Sequence, residues 1–272
     1  MITIDLHTHT SYSHGKNTPQ EMFAAARTRG LSLYGFSEHS PRPLGYDYPQ
    51  EYREHLAAHM DDYARQVLEL QDQHPDKVLF GLEMDWLDAE TDFIKQSIAA
   101  YPYDYLLGSV HFIGRWGLDV TPLEWENLPE AEYAARYERY FHSEIAMAKS
   151  GLFNIAAHLD LVKIFSVDQF HRWLHQSDNM DLLHETLLAV RDAGMALEIS
   201  SAGLRKICRE IYPCPPIMRM AADMGLPITF ASDAHCTEDV AAGFAQLESY
   251  ARAFGYDASV WFKQGRMHKK TF

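Results

Sequence analysis

Residues 2–14 read ITIDLHTHTSYSH: a short apolar run, Ile2–Asp5, breaks into His7 and His9, with His14 a few positions on. Alternation along an extended chain puts His7 and His9 on the same side, able to grip one cation together. The pair alone is poor evidence, because a chain with 15 histidines yields roughly one H-x-H by chance. The next dozen residues matter more. Thr18 reads as an N-cap, Pro19 as the first helical position and Glu21 as the closing residue of a capping box, so a helix is expected that ends near Gly30. A strand that ends in histidines and leads into a helix is the unit to look for downstream.

That unit recurs. Ser32–Phe36 is a second apolar run, followed by a long polar helix over about Gln50–Gln73. Lys77–Leu82 comes before a helix over roughly Glu90–Ala100. Tyr105–Val110 comes before a helix whose Tyr133, Tyr137, Phe141 and Ile145 stand four apart and which stops at Gly151. Phe153–Ala157 is a short fifth run. A helix over about Asp181–Ala193 then buries Leu183, Leu187 and Val190 and ends at Gly194. Met195–Ile199 and Pro227–Ala231 complete the strands, and a last helix covers roughly Glu238–Ala253. Seven strands, each leading to a helix, predict an α/β parallel barrel with one unit fewer than the eight-fold form. An open doubly wound sheet produces a similar string.

Composition limits the class. The chain has 272 residues, no repeat or low-complexity tract and no polar linker, and is read as one domain over 1–272. With 47% hydrophobic and 23% charged residues it is globular, not disordered. Lys+Arg 24 against Asp+Glu 38 leaves −14, which repels a phosphate backbone at long range and argues against a long nucleic-acid partner. Cys208, Cys214 and Cys236 cannot pair completely and form no C-x-x-C, so reduced thiols and a cytoplasmic location are expected. The opening MITIDLH has no signal-peptide pattern and no run approaches a membrane span, so no membrane partner is expected.

In parallel barrels the chemistry gathers where the strands finish. There the chain places His7, His9 and His14, then Glu38-His39, Glu83, His111, His158, Glu198 with Arg205 beyond it, and Asp233 with His235. Imidazoles and carboxylates packed together without a cation are mutually destabilising, and divalent metals supply the missing charge. Imidazole with carboxylate and no thiolate suits zinc, iron or manganese. So many ligands fit two or three ions, with a carboxylate such as Glu83 bridging. Closely spaced ions acidify a bridging water and clamp phosphoryl oxygens. His55/His59 and His171/His175 have metal-compatible i,i+4 spacing, but they lie away from the strand ends and read as solvated helix faces.

The segments ITIDLHTHTSYSH, FSEHSPRP, GLEMDW, LGSVHF, AHLDLVK, ISSAGLRK and ITFASDAH succeed one another from residue 2 to about 240. Together they resemble the polymerase-and-histidinol-phosphatase (PHP) superfamily, and GSVHF, HLDLVK and SAGLRK resemble its histidinol-phosphate phosphatase branch. The resemblance implies a distorted seven-stranded TIM-like barrel with three metals at the C-terminal ends of the strands. By it, the first metal takes His7, His9, Glu83 and Asp233. The second shares Glu83 and adds His111 and His158, and the third uses His14, His39 and His235.

The expected activity is that of a metal-dependent phosphomonoesterase acting on a small monoester, L-histidinol phosphate, in histidine biosynthesis. A hydroxide bridging two metals would attack phosphorus, with Asp233 and Glu83 among the catalytic groups. Arg205 would hold phosphoryl oxygens through its charged fork, with Lys163 and Arg115 as further phosphate candidates. Asp119, Glu198 and Glu38 are candidates for the ammonium or imidazole of the substrate, though each reads first as a group that supports the ligands or the fold. The alternative is a related phosphoesterase or nuclease acting on nucleotides or oligonucleotides. No G-x-S-x-G, Walker A, G-x-G-x-x-G or H-E-x-x-H occurs, so serine hydrolase, nucleotide-loop, Rossmann and zincin readings have no support.

Overall fold

Every apolar run becomes a strand that pairs parallel with the next. A computed structural model describes residues 1–272. Its strands are β1 (Ile4–Asp5), β2 (Leu33–His39), β3 (Val78–Asp85), β4 (Tyr105–Ser109), β5 (Phe112–Ile113), β6 (Trp116–Gly117), β7 (Ile155–Ala156), β8 (Ala196–Ser200), β9 (Ile228–Ala231), β10 (Ala258–Lys263) and β11 (Arg266–Thr271). Seven of them form one sheet in the order β1-β2-β3-β4-β7-β8-β9. The two ends of that sheet meet: Leu6 N–H donates to the Phe230 carbonyl at 3.2 Å, His9 N–H to Ala234 at 2.9 Å, and Thr8 bridges Ala234 in parallel. The sheet is therefore a nearly closed barrel, and the open-sheet alternative is excluded.

The helices are α1 (Pro19–Thr28), α2 (Gln50–Gln73), α3 (Thr91–Ala99), α4 (Glu130–Lys149), α5 (Val167–Leu174), α6 (Ser177–Asp192), α7 (Pro215–Asp223) and α8 (Phe244–Ala253). The capping box on α1 forms as expected, with Glu21 N–H on the Thr18 hydroxyl and Glu21 Oε2 accepting from Thr18 N–H at 2.9 Å. On α4, Tyr133, Tyr137, Phe141 and Ile145 are all buried against the outer core. The last helix begins six residues later than expected: it starts at Phe244, behind Gly243 at φ +79°.

The sequence reading gave no bounds for α5, and it did not anticipate α7, the β5–β6 hairpin or the β10–β11 hairpin. The β10–β11 hairpin turns on Gln264 (φ +51°) and Gly265 (φ +72°), and a Gln-Gly pair is a weaker turn signal than Asn-Gly or Asp-Gly. Its Val260 and Phe262 join Ile4, Leu6, Leu33, Leu79, Tyr105 and Leu107 in the cluster that fills the barrel. Tyr105 crosses that interior and donates to the carbonyls of Leu6 (2.7 Å) and Phe36 (3.2 Å). Gly35 and Gly81 are needed beside it, since a Cβ at either position would run into the Tyr105 ring.

The interior rows lead to the site. Alternate residues share a face, so the row starting at Leu33 continues to His39, the row from Leu79 to Glu83 and Asp85, and the row from Leu107 to Ser109. Parallel register sets His39 opposite Glu83, and Asp85 opposite Ser109. β1 ends at Asp5, so the chain has left the strand before His7 and turns both His7 and His9 inward from irregular backbone.

Candidate metal centre

At the C-terminal rim the side chains converge. The rings of His7 and His9 lie 5.1 Å apart, His9 stacks on His39 (4.2 Å) and on His235 (4.3 Å), and His14 stacks on His235 (4.2 Å). Glu83 sits among them: its Oε2 lies 3.3 Å from His7 Nε2, 3.5 Å from His9 Nε2 and 2.8 Å from His39 Nδ1. Its Oε1 lies 3.0 Å from His158 Nε2 and 3.6 Å from His111 Nε2. Asp233 Oδ1 is 3.2 Å from His9 Nε2. His158 (φ +24°) and Asp233 (φ +50°) hold left-handed backbone, which side chains other than glycine adopt less readily.

A second layer of polar groups aims these rings. Glu198 takes His7 Nδ1 at 2.7 Å and the His158 amide at 3.1 Å. Glu38 takes His9 Nδ1 at 3.3 Å, together with the Thr10 amide and the Ser13 hydroxyl. Asp85 takes His111 Nδ1 at 2.6 Å and is itself gripped by Arg42, whose guanidinium lies 3.9 Å from the Tyr48 ring centre. Tyr52, at the rim on α2, meets His14 Nδ1 at 2.9 Å. A carboxylate or hydroxyl on one ring nitrogen leaves the other free to face a cation. Glu198 and Glu38 are thus committed to orienting imidazoles, not to meeting a substrate ammonium.

The electrostatics fit a cation. His7 Nε2, His9 Nε2, His235 Nε2 and Glu83 Oε2 are shielded from solvent, and although Glu83 Oε2 lies 2.8–3.5 Å from imidazole nitrogens, none of the four makes an aligned hydrogen bond. Three overlapping groups bring their ligand atoms within 4.8 Å of one another: His7 with Glu83 and His158, His7 with His9 and Asp233, and His9 with His39 and His235. Uncompensated lone pairs in a buried site carry a free-energy cost that divalent metal ions remove. Burial opposes ionisation of Glu83 and Asp233, yet the surrounding imidazoles hold both well below the usual carboxylate range. Burial and His9 push His235 down to about 3, so it offers a neutral lone pair at any ordinary pH. Burial also disfavours charge on His111, but Glu83 and Asp85 carry it up to about 9.

The cavity above this cluster, about 360 Å³, is lined by seven of these histidines and acids together with Tyr48, Asp119, Lys206 and Tyr212. A larger cavity of about 500 Å³, lined by Phe254, Tyr256 and Val260, holds none of them.

None of the three cations expected to hold phosphate lines the cavity above the cluster. Lys163 is fully buried, with Nζ 2.7 Å from Asp160 Oδ2 and donating to the Ile211 carbonyl at 3.1 Å, so its charge is already matched. Arg115 lies on the β5–β6 turn with its guanidinium beside Gly45 and Tyr46. Arg205 donates to the carbonyls of Ser232 (2.6 Å) and Asp233 (3.2 Å), which clamps the turn that carries Asp233. Lys206, the next residue, is the basic side chain that lines the cavity apart from the histidines. Asp85, Arg42, Tyr52 and Lys206 escaped the sequence reading. Asp85 alone had a legible signal, since it stands two positions after Glu83 and shares its face.

Comparison with known proteins agrees with this geometry. The PHP domain model matches residues 5–202. A probable histidinol-phosphatase of Deinococcus radiodurans is 33% identical over 266 residues, covering 97% of each chain. Another from Schizosaccharomyces pombe is 23% identical, covering 97% of this chain and 90% of its own. The crystal structure of histidinol phosphate phosphatase from Lactococcus lactis, complexed with zinc, L-histidinol and phosphate, superposes with a TM-score of 0.77 at 20% identity, covering 98% of each chain. A strand-end cluster of histidines and acids in a nearly closed seven-stranded barrel, with a family match across most of its length, makes this chain a member of the PHP domain family.

Proposed function

We propose that the chain is a metal-dependent phosphomonoesterase that hydrolyses L-histidinol phosphate to L-histidinol and inorganic phosphate. One observation carries the reading: a rim of converging imidazole and carboxylate atoms, several buried without partners, opens onto a cavity sized for a small ester. The relatives named as histidinol-phosphatases supply the substrate. Two or three divalent ions are assigned, zinc first because the Lactococcus lactis structure holds it, with iron and manganese also suited to this ligand set. His7, His9, Glu83 and Asp233 would hold one, Glu83, His111 and His158 a second, and His14, His39 and His235 a third. Bound there, such ions supply charge for the phosphoryl oxygens and a nucleophile from water at neutral pH.

The chain's own groups divide the remaining work. Lys206 offers its ammonium to the phosphate from the cavity wall. Asp119, whose Oδ1 is shielded and unpartnered beside the same cavity, is suited to the ammonium or imidazole of histidinol. Asp233, held ionised by its imidazole neighbours, is suited to retaining a cation. Arg205 fixes the turn on which Asp233 stands. The net charge of −14 favours a small ester over a nucleic acid.

The deciding assay is inorganic phosphate release from histidinol phosphate beside nucleoside monophosphates and a short oligonucleotide. Expected are a clear preference for histidinol phosphate, loss of turnover on chelation and recovery with zinc, iron or manganese. Equal or faster turnover of nucleotides would replace this reading with the related phosphoesterase.

A further inference from the structure

Of the two histidine pairs spaced i,i+4, one stands wholly within a helix with its rings facing one another. In the other, His171 Nε2 is engaged by Glu210 at 2.7 Å and His175 stands past the end of α5 as its C-cap. On α2, the rings of His55 and His59 face one another at 4.2 Å, tilted by 36°. His59 Nδ1–H donates to the His55 carbonyl at 2.8 Å. That bond selects the tautomer whose lone pair sits on Nε2, and a backbone carbonyl on the far nitrogen is how metal-binding imidazoles are commonly held. His55 Nε2 is shielded from solvent and bonded to nothing. Both side chains are half-buried, and the Tyr12 ring, 6.2 Å from His59, bounds the pair from the loop that carries His14. Neither residue lines the cavity of the candidate centre.

We infer that His55 and His59 form an auxiliary binding site for a divalent transition-metal ion, separate from the strand-end centre. Two neutral imidazoles one helical turn apart, with water completing the coordination, suit zinc, copper or nickel and exclude magnesium and calcium, which require oxygen donors. The site needs no thiolate or carboxylate, since both ligands are imidazoles.

The test uses the metal-loaded enzyme, with zinc alone as the probe. Calorimetric titration of wild type, paired with metal analysis, is expected to show one zinc bound beyond the tightly held ions. His55→Gln and His59→Gln each lose that step while keeping the same tight ions, the same turnover and an unchanged circular dichroism spectrum. His171→Gln keeps it. An extra zinc that persists in both α2 variants, a loss that accompanies His171→Gln instead, or no extra zinc in wild type would overturn the inference. A change in the tight ions of an α2 variant would overturn the claim that the two sites are separate.

Discussion

Replacing Asp85 with Asn tests the claim that the imidazoles are aimed from behind. Asp85 serves two buried donors at once, His111 Nδ1 at 2.6 Å and the Arg42 guanidinium, and both side chains of the Arg42–Asp85 pair are at most 2% exposed. Asparagine keeps the shape, but His111 Nδ1 and Arg42 Nε meet different carboxylate oxygens, so the amide NH₂ must replace one acceptor and face a donor. The Arg42 charge then lies buried without a counter-charge, which costs about 3–5 kcal/mol when a buried pair is broken. Misaiming the ring of one metal ligand lowers metal affinity or activity by about 10–100-fold, or about 1.4–2.8 kcal/mol. The two effects separate experimentally. Urea unfolding of the chelated protein reads the first, and competition with a chromophoric chelator reads the second. A variant whose metal-free stability lies within about 0.5 kcal/mol of wild type, a change typical of neutral surface substitutions, and whose metal affinity is unchanged, would refute the reasoning.

In the metal-free protein, His111 is held up at about 9 against an unfolded value near 6.5, so its contribution to stability is complete below pH 6.5 and is lost as pH rises through 9. His7, raised by Glu198, Glu83 and Asp233 against its burial, acts in the same sense, so urea midpoints should fall between pH 6.5 and 9; a flat or rising profile would contradict this. Lys206→Ala should lower kcat/KM for the phosphate ester by roughly 10–100-fold, the equivalent of about 1.5–3 kcal/mol for a charged hydrogen bond, with folding unaltered; steady-state kinetics decide it. Lys163→Met should leave the fully buried Asp160 carboxyl with the Cys214 amide but without its counter-charge and cost about 3–5 kcal/mol on thermal or urea unfolding, and an unchanged midpoint would speak against a structural role. Phe262→Ala should open a cavity at the foot of the barrel and destabilise by about 3–5 kcal/mol, measured in the same way.

Strand existence and order were readable from residue 2 onward because a parallel strand buried on both faces has to be apolar and its βα connection has to be capped. The α2 bounds, Gln50–Gln73, were read to the residue, and the Thr18 capping box was visible as three letters. Asp85 was half legible, since its parity with Glu83 was in the sequence while its partner Arg42, 43 positions away, was not. The β10–β11 hairpin was lost because its turn signal is weak and its apolar residues match the barrel's interior, which local patterning does not reveal.

Residue types and their placement at strand ends were decided by the sequence alone, because a strand's end is a local property of the chain. That is why the histidines and acids could be named before any coordinates. The fate of each cation was decided by the tertiary structure. Lys163, Arg205 and Lys206 are all basic residues just beyond a strand end, yet one is neutralised in the core, one clamps a turn and one faces the cavity. A long flexible side chain takes the nearest acceptor that the packed fold provides, and that acceptor comes from a distant segment. Barrel closure belongs to the same class, because it rests on Leu6 and His9 meeting Phe230 and Ala234 across more than two hundred residues of chain.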